Sequence, residues 1–331
     1  LALPTYVAAF VALGLTSYSG PILTLWRNVF GQHAWYPDIR HTGGVVLVMG
    51  GVLYPYVYML ARAAFLQQGK NLVDVARTLG HSPWAGFFKV ALPMAAPAIC
   101  TGIALVLMET LADFGAVAVF NFDTFTTAIY KAWFGFGNLT AATQLASLLL
   151  LCVALILSFE QFQRARSRAN VYAQRQQRFV LHGKWRWLAC AYCTLVLCAC
   201  FVVPALQLVV WVCKTGLSAL DARFLQLIKH SLILAASTAA LVALLAVAVS
   251  FSERFAKRKS LLFLTRFITL GYALPGSVLA VGVMMSFTLV DRYLLWPVLG
   301  DGESVQPILL GSLFALLLAY TVRFFAVGLG P

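Results

Sequence analysis

"NLVDVARTLGHSPWAGFFKVALP", residues Asn71 to Pro93, is a polar and charged island between two long apolar runs, Gly43–Phe65 and Ala95–Phe120. Its punctuation predicts two short helices. Asn71 is a good N-cap, and Asp74, three residues on, can reach back to the free N–H groups of the first turn. Gly80 suits the left-handed conformation that ends a helix. Ser82 can then cap a second helix with Pro83 at its first position, and Leu92-Pro93 is expected to break that helix before the chain re-enters apolar sequence. Leu72, Val73, Trp84, Phe87 and Phe88 would meet solvent on such an element. It reads as a docking surface, the alternative being that these groups pack on the protein's own helices.

The sequence on either side is membrane sequence. Of 331 residues, 61% are hydrophobic and 11% charged, against roughly 45–50% apolar and about 25% charged in soluble domains. Apolar runs near the roughly 20 residues that cross a bilayer as a helix lie at Leu1–Leu15, Gly43–Phe65, Ala95–Phe120, Leu139–Phe159, Trp187–Val212, Ser231–Phe251, Phe267–Val290 and Pro307–Gly330. The fold class is therefore an all-α polytopic membrane protein. No initiator Met, basic n-region or cleavage site precedes Leu1, and the last apolar run stops as it reaches a membrane face, so the sequence reads as a fragment.

The net charge of +13 is mostly topology. Lys and Arg collect in alternate loops: Arg62, Lys70, Arg77 and Lys89; then the run from Arg164 to Arg186; then Arg254 to Arg266, with Arg323 near the final end. By the positive-inside rule these loops face the cytoplasm, and Asn71–Pro93 lies there with them. Attraction to anionic membrane lipids is the secondary effect, and no nucleic-acid-binding module accompanies the charge. Four of the seven cysteines fall in the run Trp187–Val212, and Cys213 directly follows it. Cys190-x-x-Cys193 there has redox or metal spacing, but with no neighbouring His the cysteines read as small helix hydrophobes.

The chain repeats itself. "LALPTYVAAF" at the start is similar to "YALPGSVLAV" from Tyr272 to Val281, and the spans that follow end alike, in "YVYMLARAAF" around Arg62 and "LAYTVRFFAV" around Arg323. Such doubling suits a transporter whose two halves enclose one pathway. Asp74 lies twelve residues past Arg62, so the matching loop of the second half is expected beyond Pro331. Glu160–Arg186, Gln- and Arg-rich, reads as a cytoplasmic connector between the halves.

The pattern Asp74-Val75-Ala76, three residues, Gly80, nine residues, Val90-x-Leu92-Pro93 resembles the EAA loop of ABC importer permeases, E-A-A-x(3)-G-x(9)-I-x-L-P. Ala76, Gly80, Leu92 and Pro93 match, while Asp74, Val75 and Val90 replace the family's Glu, Ala and Ile. "LYPYVYMLARAAF", "SPWAGFFKVALP", "LVLMETLADFGAV" and "TFTTAIYKAWFG" resemble the fused, two-half permeases of ferric-iron importers; the thiamine permeases, also fused, lack the Met108–Gly115 segment. The resemblance covers nearly the whole chain and implies tandem permease repeats. Residues 1–160 are then the later part of a first repeat, 161–186 a basic linker, and 187–331 the first part of a second, ending before its own EAA loop. It implies a multi-pass protein of the bacterial inner membrane. Its implied partners are a cytoplasmic ABC ATPase dimer that docks on the loop and a periplasmic substrate-binding protein.

No G-x-x-x-x-G-K-[ST] phosphate loop occurs in the chain. It is expected to be no enzyme and to carry no cofactor, with ATP and Mg on the partner ATPase. Intramembrane carboxylates are costly and usually functional. Glu109 and Asp113, four apart, are expected on one helix face near the bilayer middle. With Thr110 they offer hard oxygen ligands to a trivalent cation, the alternative being a protonated or Arg-paired lock between helices. In the outward loop 121–138, Asp123 and Tyr130 are candidates for an outer gate, although Tyr130 and Trp133 also read as interface-belt aromatics. His33, His41 and Asp38 in another outward loop are possible ligands or ordinary surface groups. Gly43-Gly44, Gly50-Gly51 and Pro55 are expected to interrupt one span.

The sequence reads as the membrane subunit of an ATP-driven importer, for ferric iron in the first instance. Thiamine or phosphonate is the alternative cargo within that class. An ATP-independent carrier or channel is the rival from another class, and a membrane enzyme is weak because no nucleophile–base pair or metal-ligand cluster stands out.

Overall fold

A computed structural model describes residues 3–31, 35–68, 78, 80, 82–166, 183–216, 221–256, 271, 274–295 and 308–329. Among these residues the regular structure is entirely helical. Seven helical segments are long and apolar enough to cross a membrane, and an eighth, Leu313–Leu329, is apolar but shorter. They correspond to the eight apolar runs of the sequence.

The chain packs as two compact units, Leu1–Thr124 with Ala154–Lys214, and Phe125–Val153 with Thr215–Pro331. The first unit opens with α1 (Thr5–Thr16) and α2 (Pro21–Phe30), separated by a tight turn in which the Gly20 N–H donates to Ser17 O. Then comes α3 (Thr42–Gln68), followed by α4 (Pro83–Gly86), α5 (Leu92–Ala112) and α6 (Gly115–Val119). The second holds α7 (Phe125–Tyr130) and the first part of α8 (Leu139–Arg166), whose later part returns to the first unit. Also in the first unit are α9 (Lys184–Leu197) and α10 (Val203–Thr215), joined by the π turn Cys198–Val202. In the second unit, α11 (Ala222–Ala256), α12 (Gly276–Val290) and α13 (Leu313–Leu329) complete the chain.

The glycines and proline of α3 do not interrupt it. The helix runs unbroken through Gly50, Gly51 and Pro55, because a proline that loses one backbone bond is tolerated where neighbouring helices hold the segment. Small residues are used for close approach instead: a Cβ on Gly102 of α5 would lie 2.8 Å from the Cα of Val57 in α3. The core of the first unit gathers Ala8 and Ala9 of α1, Val48 and Met49 of α3, and Ala116 and Val117 of α6. Across α9 and α10 most side chains are exposed. Cys190 and Cys193 are among them, and all seven cysteines are free thiols.

In the second unit α13 packs on both α11 and α12. A largely apolar cavity of about 1040 Å³ lies along α11 and α13, lined by Thr238, Val242, Tyr320 and Phe324 among others. The two repeat motifs meet here: a Cβ on Gly276, next to Pro275, would fall 2.5 Å from Nη1 of Arg323. Buried Asp291, the first residue of the π turn Asp291–Leu295, accepts from the backbone N–H groups of Leu309 (3.0 Å) and Leu310 (3.1 Å). Asp291→Ala strands both amides, at a cost of about 3 kcal/mol for lost charge-assisted bonds. The thermal midpoint of the purified protein should fall accordingly, and an unchanged midpoint would show that the turn holds without the carboxylate.

Candidate functional site

In the stretch 71–93, Gly80 takes the left-handed conformation. Asn71, Asp74 and Ala76 lie outside the described residues. Gly80 has φ +79°, and among the described residues no atom lies within 4 Å of where a Cβ would stand. Its backbone conformation favours glycine. Ser82 caps the next turn as expected, its Oγ accepting from the N–H of Ala85 (3.3 Å), with Pro83 opening α4.

Leu92-Pro93 does not break the helix. Helical turns continue from α4 into α5 through the π turn Phe87–Ala91, whose wide register is closed by the Leu92 N–H donating to Phe87 O. Pro93, with no N–H, sits in the first turn of α5, where a missing donor costs least. Val90 and Leu92 are half-buried and Pro93 is exposed. Trp84 is 74% exposed and stacks on Phe88, itself 57% exposed, at 6.3 Å. This aromatic pair is the open apolar surface on the described part of the element.

The helix that carries Glu109 and Asp113 ends sooner than the expected run to Phe120. Helix α5 ends at Ala112, and Asp113 leaves it with ψ 128°. Asp113, with φ −68°, still projects from the same face as Glu109, which lies in the last turn of α5, half-buried, while its extended ψ turns the chain away after it. Its Oδ1 accepts from the N–H of Ala116 (2.8 Å) at the start of α6, and its Oδ2 accepts from the hydroxyl of Thr5 at the start of α1. Close packing makes the break possible, since a Cβ on Gly115 would stand 2.8 Å from Cβ of Tyr6. A discontinuous helix with a carboxylate at the break is how membrane transporters place polar groups inside hydrocarbon. Thr110 is exposed and its hydroxyl donates to Val106 O (2.8 Å).

Asp123 is exposed and belongs to the first unit; Tyr130, 49% exposed and paired with the Phe134 ring at 4.8 Å, belongs to the second. In the other outward loop the N–H at Nδ1 of His41 donates to Asp38 O (2.6 Å), and Oδ1 of Asp38 accepts from the Arg40 N–H (2.9 Å). Both groups serve the turn. His33 lies outside the described residues.

Residues 1–168 match the family model described as "Binding-protein-dependent transport system inner membrane component". The chain belongs to this family. It is thus an ABC importer permease, a multi-pass inner membrane protein. The Fe(3+)-transport system permease protein FbpB 2 of Haemophilus influenzae is 28% identical over 86% of this chain and 54% of its own length. The molybdenum permease ModB of the same organism is 28% identical over 52% of this chain and 78% of its own, and the sulfate permease CysT of Escherichia coli 32% identical over 35% and 40%. The chain spans about half the length of the iron permease it matches. No solved structure matches it.

Two polar contacts of this permease escaped the sequence reading. Thr5 sits beside Pro4 of the repeat motif, and that adjacency was the available signal. Glu160, read as the opening of the connector, is instead buried within α8, which continues to Arg166. Its carboxylate accepts from the hydroxyl of Thr101 in α5 (3.1 Å). An isolated carboxylate ending a long apolar run was the sign that it belongs to the span.

Proposed function

We propose that this permease moves ferric iron, delivered by a substrate-binding protein at the outer face, into the cytoplasm by alternating access. A separate ATPase dimer carrying ATP and Mg docks on Asn71–Pro93 and supplies the energy. The observation that carries the cargo is the extent of likeness: the iron permease matches across 86% of the chain, into its second half, whereas the molybdenum and sulfate permeases match 52% and 35%. Chemistry agrees with it. Carboxylates at Glu109 and Asp113 attract a hard trivalent cation and repel an oxyanion. In this reading Asp113 meets the cargo where the span breaks, Glu109 precedes it by about one turn, and Asp123 and Tyr130 belong to the outer gate.

The oxyanion reading draws on the ModB and CysT relatives, and one experiment separates the two. Cells expressing the complete reading frame with its ATPase and binding protein are given radiolabelled ferric iron, molybdate or sulfate in parallel. Iron uptake should be the one above background, and Glu109→Gln should lower it roughly tenfold, the scale of one lost charge contact, while the assembled complex is recovered undiminished. Uptake of molybdate or sulfate in place of iron would transfer the cargo to the oxyanion class.

A further inference from the structure

We infer that Gln68 and Phe65 clamp the inner ends of α3 and α5 to each other, so that displacing the loop between them moves both helices as one body. The inference rests on the coupling role proposed for Asn71–Pro93, and not on the cargo. Gln68 is the last residue of α3, and its Nε2–H donates to the carbonyl of Ala91, 23 residues on, across 3.1 Å. One helical turn earlier, the ring of Phe65 stacks on Phe87 with centroids 5.9 Å apart and planes 26° apart. Phe87 and Ala91 are the first and last residues of the π turn, so the two contacts grip it at both ends.

That placement matters because a π turn is the least favourable part of a helix and occurs mostly as single turns, frequently at functional sites. Left alone, it would yield before a push on α4 reached α5. Gripped from α3, it transmits. Both ends of the loop are therefore tied across as well as along the chain, and Gln68 acts as a positioning residue.

The test uses the full-length permease in nanodiscs with its ATPase and binding protein, comparing wild type with Gln68→Met, which keeps length and loses the donor, and Gln68→Lys, which keeps a donor. Hydrogen–deuterium exchange is followed in residues 53–68 and 87–100 with and without ATP and vanadate. In wild type and Gln68→Lys both segments should respond together. In Gln68→Met only 87–100 should respond, with the ATPase still bound at full stoichiometry and the stimulation of hydrolysis by binding protein reduced roughly fivefold or more. A paired response retained in Gln68→Met, or separate responses in wild type, would overturn the clamp. A wild type that holds no ATPase would remove the coupling role and the clamp with it, whereas failed iron uptake beside a paired response would remove the cargo alone.

Discussion

Gly80→Pro should leave the permease in the membrane and abolish both recovery of its ATPase and uptake of its cargo. Proline holds φ near −65°, and this residue stands at +79°, so the turn at Gly80 cannot keep its shape. The cost is about 3 kcal/mol or more, enough to lower the population of the docking geometry over a hundredfold at 1.4 kcal/mol per factor of ten. Gly80→Ala should be milder, near the roughly 1–2 kcal/mol of a Cβ in the left-handed region, and Gly80→Asn milder still. This order is the one that backbone conformation dictates. Equal loss in Gly80→Asn and Gly80→Pro would mean that a docked partner occupies the space beside the residue. Co-purification of the ATPase, measured across the series, decides between them.

Asp113 should separate architecture from transport in a way that Glu109 does not. Asp113→Ala removes the acceptor for both Ala116 N–H and the Thr5 hydroxyl, two charge-assisted bonds worth about 3 kcal/mol together. The protein should be recovered at markedly lower yield with a depressed thermal midpoint. Asp113→Asn keeps an oxygen for the Ala116 N–H and an amide that Thr5 can meet as an acceptor. It should fold with a midpoint close to wild type and lose iron uptake roughly tenfold or more through the missing charge. Uptake preserved in Asp113→Asn would make Asp113 a lock that joins α1 to α6, and would leave the cation path to other groups.

Much of this was legible along the chain. Hydropathy alone locates the spans, because a helix in hydrocarbon must be apolar for about 20 residues and its backbone satisfies itself. The turn at Gly80 and the cap at Ser82 were equally readable, since both depend on the residue's own dihedral or on a neighbour three positions away. The break at Asp113 carried a local signal of the same kind, a carboxylate that caps the N–H three residues on, but in an apolar run it was read as one more turn of a continuous helix. Remote groups pack at the break: the hydroxyl of Thr5, 108 residues away, donates to the carboxylate, and Tyr6 approaches Gly115.

Glu160 and Pro93 make the same point from opposite sides. Charge and its neighbours assigned Glu160 to a solvated connector, yet Thr101 on another helix supplies the hydrogen bond that makes its burial tolerable. Proline chemistry assigned a break at Pro93, yet the helical path runs on through it from the π turn, which Phe65 and Gln68 of α3 contact. The sequence by itself determined the spans and the left-handed turn at Gly80, which follow from transfer energies and a local dihedral. Only the tertiary structure decided where the helices break and which polar groups lie buried within them, because the partners that stabilise those choices come from helices remote in sequence.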